Sequence, residues 1–156
     1  MKKPRSVRPI SVLLVIAIAL TSALIWSQSV KSVETSSQQS ARVTEFVRPV
    51  LEKVVGKGNV TDRLVRKTAH FFEFSLLGCE LFCLALALGL AGRRLLAAAF
   101  YALLAALTDE TIQIFAERGP LVSDVWIDFA GALCGMLAGS LVYLLVLLIK
   151  KRKRRA

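Results

Sequence analysis

Residues 107–139, LTDETIQIFAERGPLVSDVWIDFAGALCGMLAG, read as an apolar hairpin that nevertheless carries Asp109, Glu110, Asp124 and Asp128. Its turn is marked by Gly119-Pro120. A carboxylate at membrane depth costs about 2.5–3.5 kcal/mol on insertion scales, so such groups face a bundle interior rather than lipid. Acids gathered at both ends of one turn ask for a common explanation. From Asp124 the helical steps continue through Asp128, Gly131, Gly135 and Gly139. Glycines at that spacing allow a second helix to approach closely. The face that bears the acids is therefore also the face packed against a neighbour.

Outward from this hairpin the chain stays apolar. Residues 10–25, 70–90, 95–107 and 125–149 are runs that approach or exceed the roughly 20 residues needed to cross hydrocarbon. With 156 residues and 55% hydrophobic content, no length remains for a separate soluble domain. The expected fold is all-α: a polytopic membrane protein, a bundle of four transmembrane helices with an extracytoplasmic amphipathic segment between the first and second.

The net charge of +10 is concentrated at three places. Lys2, Lys3, Arg5 and Arg8 precede the first run, Arg93 and Arg94 fill the turn between the second and third, and residues 150–155 (KKRKRR) follow the last. Alternating helices put all three on one side, and the positive-inside rule makes that side cytoplasmic. A basic tail beside a span serves orientation and anionic lipid, so membrane lipid is the expected partner and nucleic acid is not. Cys79, Cys83 and Cys134 lack C-x-x-C or metal spacing and read as small buried apolar residues.

In chain order, residues 1–28 comprise a basic arm and the first span, ending near Trp26, a candidate interfacial anchor. A basic, then apolar, then small-residue order also fits a secretory leader. The length of the run and the lack of a clean A-x-A site favour a retained helix. Residues 29–62 open as a Ser- and Gln-rich linker. Val43, Phe46, Val47, Val50, Leu51, Val54 and Val55 then mark an amphipathic helix, bent near Pro49. It would lie on the outer membrane surface or pack as a lid. Thr61 or Asp62 caps the second span, which opens a three-helix domain over residues 63–149, and residues 150–156 form a basic cytoplasmic tail. Ser123 is placed to cap the fourth span.

On the second span, Lys67, His70, Glu73, Leu77 and Glu80 follow i, i+3, i+4 steps and share one face. Alternation then puts Lys67, His70 and Glu73 at the same outward depth as Asp109, Glu110 and Gln113 of the third span, Arg118 of the turn, and Asp124 and Asp128 of the fourth. These residues form the expected ligand-binding set. His70, Glu73, Asp109 and Glu110 are the candidates for catalysis, should there be any. Interhelical polar contacts alone are worth only about 0.6–2 kcal/mol, and a single pair would fix register. The surplus of acids points to a site.

The chain resembles the VanZ-like family of small bacterial membrane proteins. The resemblance lies in Arg66-Lys67-x-x-His70-x-x-Glu73, Thr108-Asp109-Glu110-x-x-Gln113, Arg118, Asp124, Asp128 and Gly131, and covers residues 63–139. It implies a cell-envelope membrane protein and, through the family's name, an expected link to teicoplanin-type glycopeptide sensitivity. Three functions stay open. An outward polar pocket could bind a lipid-linked cell-wall precursor or a glycopeptide. A membrane-embedded hydrolase or transferase could act on a lipid-linked headgroup, with Asp109, Glu110 or Glu73 as base, His70 as acid, and a divalent cation assisting. A small transporter or proton relay would use Glu80, but the sequence offers few polar residues in the inner half. No G-x-S-x-G, H-E-x-x-H or P-loop is present. Whether the protein is an enzyme is left open by its residues.

Overall fold

The computed structural model describes residues 9–30, 45, 48–50, 52–53, 56, 60–116 and 121–154. Long helices dominate them: α1 Pro9–Ser29, α2 Asp62–Ala87, α3 Gly92–Phe115 and α4 Val122–Lys153, with no strand among the described residues. Each is long and apolar enough to cross a membrane. The expected amphipathic helix lies mostly outside the described residues. Within it, Glu45, Arg48, Pro49, Val50, Glu52 and Lys53 are helical.

Local chemistry sets the helix ends. Pro9 occupies the first position of α1, where a missing N–H costs nothing. The Thr61 hydroxyl accepts the Leu64 N–H at 3.2 Å and caps α2 as the sequence predicts. Gly89, at φ 89°, takes the left-handed conformation that turns the chain out of α2. The turn is thus made by residues 88–91, and Arg93 and Arg94 sit in the first turn of α3 instead of in the loop. There the Arg94 guanidinium donates to the Gly89 carbonyl. Ser123 does not cap α4. The helix starts two residues earlier than a Ser123 cap would give, with Leu121 at the cap position, and the Ser123 hydroxyl donates to Asp124 Oδ1 at 3.1 Å.

Side-chain pairs fix the topology. Ser22 meets Tyr101 and Ser29 meets Asp109, so α1 and α3 run in the same direction. Lys67 meets Asp124, and the backbones of Phe71 and Ser75 meet Gly131 and Gly135, so α2 and α4 run together. The helices alternate up and down. One end of the bundle gathers the end of α1, the start of α2, the end of α3 and the start of α4.

The closest contact is between α2 and α4. A Cβ on Gly131 would lie 2.5 Å from the Phe71 carbonyl oxygen, and one on Gly135 would collide with that of Ser75. From the other side, a Cβ on Gly78 would strike the Ala132 carbonyl. Small residues let the two backbones touch, as the glycine strip predicts. Phe74 and Leu77 of α2, Ala102 and Ala106 of α3, Ala132 of α4 and Ile25 of α1 fill the centre at 0% exposure.

The surface inverts the pattern of a water-soluble protein. Helix α1 buries Ser11, Thr21, Ser22 and Ser29 and exposes Leu13, Val15, Ile16, Leu20 and Leu24. In water that arrangement would be unfavourable throughout. In lipid it gives the Thr21, Ser22 and Ser29 hydroxyls partners inside and leaves the apolar side chains with the solvent they prefer. The chain is a multi-pass membrane protein. Trp26 near the end of α1 is half-buried, with its indole N–H donating to the Ala105 carbonyl at 3.4 Å.

Candidate functional site

Among the described residues, three carboxylates are buried: Asp109 at 0%, Asp128 at 3% and Glu110 at 6% exposure. All belong to the set expected from sequence, and all lie toward the end where α1 finishes and α4 starts. Asp109 is the hub. Its Oδ1 accepts from the Ser29 hydroxyl of α1 at 2.6 Å, and its Oδ2 accepts from Gln113 Nε2, one turn along α3, at 2.8 Å. His70 Nδ1 of α2 stands 3.5 Å from the same Oδ2. Three helices thus converge on one fully buried carboxylate.

Asp128 brings in α4. Among the described residues, Asp109, Glu110, Asp124 and Glu73 put like charge around it. One ring nitrogen of His70 and one carboxylate oxygen each from Asp109 and Asp128 lie within 4.8 Å of one another. Glu110 Oε1 accepts the backbone N–H of Leu121, which ties the end of α3 to the start of α4. Lys67 and Asp124 form the partly exposed rim, an ion pair of 2.6 Å between α2 and α4. Arg118 lies outside the described residues.

The stripe Lys67–His70–Glu80 therefore faces inward but does not serve one partner. Helix α2 packs against all three others, so Lys67 turns to α4, His70 to α3 and Glu80 to α1. Glu80 accepts from the Thr21 hydroxyl at 3.0 Å, away from the buried acids. Beside it, Ser22 and Tyr101 share a hydrogen bond of 3.0 Å. These inner polar contacts come from α1 and were missed from sequence, as was Ser29. A signal existed, since Ser11, Thr21, Ser22 and Ser29 fall on one face of an otherwise aliphatic helix.

Asp109 thus accepts from Ser29 of α1 and Gln113 of α3, with His70 of α2 beside it and Asp128 of α4 close by. The family model for VanZ/LLP1 matches residues 12–147. The chain belongs to the VanZ/LLP1 family. No curated protein and no solved structure matches it. The VanZ/LLP1 match begins within α1, so it takes in the helix that supplies Ser29 as well as the three helices on which the sequence resemblance rests. Chemically, the site can accept protons, hold a cation or bind the donors of a polar ligand.

Proposed function

We propose that this VanZ-like membrane protein uses the Asp109 cluster as an extracytoplasmic pocket for an envelope ligand. Both termini are cytoplasmic in this reading, because the basic residues cluster at the ends and beside the α2–α3 turn. The ligand class is a lipid-linked cell-wall precursor or a glycopeptide, and occupancy alters sensitivity to teicoplanin-type compounds. The observation that carries the reading is the complete burial of Asp109 among polar groups of three helices, the Ser29 and Gln113 donors and the His70 imidazole, with Asp128 and Glu110 nearby. One buried acid would fix helix register. Several like charges held together are costly in low dielectric and call for a ligand, a proton or a cation.

The test uses Asp109→Asn, Glu110→Gln, His70→Gln and Asp128→Asn in the full chain. Each amide keeps size and hydrogen bonding and removes the ionisable group. Glycopeptide sensitivity of the expressing strain, and binding of a purified lipid-linked precursor in nanodiscs, should both fall while membrane levels hold. Wild-type behaviour from all four would return the cluster to a purely structural role.

A second reading has its own support in the 3.5 Å separation of His70 Nδ1 and Asp109 Oδ2. An imidazole beside a carboxylate is the arrangement that general acid–base catalysis uses. Turnover of a lipid-linked headgroup by the purified protein, abolished by His70→Gln, would favour a hydrolase or transferase over a binding factor.

A further inference from the structure

We infer that His70, Asp109 and Asp128 form a binding site for a first-row divalent cation of the Zn²⁺ or Mn²⁺ type. The inference rests on the pocket reading and names what occupies its floor. One residue comes from each of α2, α3 and α4, and their ligand atoms lie within 4.8 Å of one another. Around an ion with bonds of about 2.1 Å, neighbouring donors stand about 3.0–3.4 Å apart and opposite ones about 4.2 Å. The 3.5 Å from His70 Nδ1 to Asp109 Oδ2 already approaches the shorter spacing. Closing the triad on an ion therefore asks only small side-chain shifts, within the reach of ordinary χ adjustment.

The second observation is Glu110. It is 6% exposed, its Oε1 accepts the Leu121 N–H, and its Oε2 is buried without a hydrogen-bond partner among the described residues. Glu110 follows Asp109 directly in α3, so this orphan oxygen lies at the same end of the bundle as the triad. A buried carboxylate oxygen without a donor is costly, and a cation held by the triad would offset the charge of this neighbouring acid. The donors of Asp109 do not block the role. Each carboxylate oxygen has two lone pairs, so Ser29 and Gln113 leave capacity on both. They act as orienting partners of the kind that metal ligands normally have.

Donor chemistry selects the class. All-oxygen cages suit Ca²⁺ and Mg²⁺, whereas an imidazole among carboxylates suits Zn²⁺ or Mn²⁺. Two helices contribute carboxylate charge to offset the ion, and the imidazole adds a neutral ligand. Held there, the cation would present a positive centre to an anionic headgroup entering past Lys67.

The test is metal content. Full-length protein carrying a tag without histidine is purified into nanodiscs, stripped with chelator, reloaded with ZnCl₂ and passed through gel filtration. Wild type should retain about one equivalent of Zn²⁺, set by a single site. His70→Gln and Asp128→Asn should each weaken retention by more than about tenfold, and Ser29→Ala by about tenfold through the orientation of Asp109. Glu80→Gln, bonded to Thr21 away from the cluster, should retain Zn²⁺ as wild type does. Zn²⁺ that washes from the wild type, or that stays in both His70→Gln and Asp128→Asn, overturns the proposal. The wild-type result alone decides against it should those variants fail to fold. Loss of ligand binding in the amide variants without any Zn²⁺ retention would leave the pocket standing and remove only the metal.

Discussion

Asp109 and Ser29 show how much one hydroxyl can matter inside a membrane. The carboxylate has no contact with solvent, and Ser29 supplies the donor at its Oδ1. Interhelical hydrogen bonds in membranes average about 0.6 kcal/mol and reach about 1.7. With an acidic acceptor, Ser29→Ala should fall at the upper end, a loss of about 1–2 kcal/mol in SDS-titration unfolding. Ser29→Thr, which keeps the hydroxyl, should recover most of it. Lys67 behaves differently because its pair with Asp124 is partly exposed. Lys67→Gln should cost no more than about 1 kcal/mol in the same assay, while lowering affinity for an anionic headgroup if the pocket reading holds. The acids themselves were legible from sequence because intramembrane charge is rare and stands out. Ser29 was not, since a serine near the end of an apolar run also fits a linker. Only the packing of α1 shows which of its hydroxyls turn inward.

Helices α2 and α4 are the element pair that holds the site in register. The glycine strip at Gly131 and Gly135 was readable from its spacing, and its partner surface on α2 was not. Gly78 is the missing half: a Cβ there collides with the Ala132 backbone just as one at Gly135 collides with that of Ser75. A backbone carbonyl cannot step aside as a side chain can. Gly135→Leu should therefore destabilise by more than the usual overpacking range of about 1–3 kcal/mol, seen as loss of monodisperse protein after detergent extraction. Gly78→Leu should do the same, although it lies outside every motif recognised in sequence. By contrast Gly92, with nothing near its missing Cβ, should accept alanine with wild-type yield. The four spans and the facing of the acids followed from hydrophobic runs, charge and periodicity. The central place of α2, and the division of its polar stripe among three partners, depend on which helices touch, and alternation alone does not say.

At the scale of the whole molecule, the bundle buries polar groups beside its apolar centre and turns aliphatic side chains outward, with its buried acids toward one end and Arg93, Arg94 and the basic last turn of α4 toward the other. The long α4 extends past its neighbours, exposing leucines and valines from Leu141 to Ile149 before the basic residues of its last turn. That segment suits lipid contact on the way to a charged interface. The central claim is that the acid-bearing end opens away from the cytoplasm, where an envelope ligand can enter. Its most direct test is thiol accessibility in intact cells. Cys79, Cys83 and Cys134 are replaced by alanine or serine, and single cysteines are placed at Ser123, exposed beside Asp124, and at Lys153, exposed in the last turn of α4. A membrane-impermeant maleimide should label Ser123→Cys in intact cells and Lys153→Cys only after permeabilisation. Labelling of Lys153→Cys in intact cells, with Ser123→Cys protected until lysis, would put the Asp109 cluster on the cytoplasmic side and contradict the account.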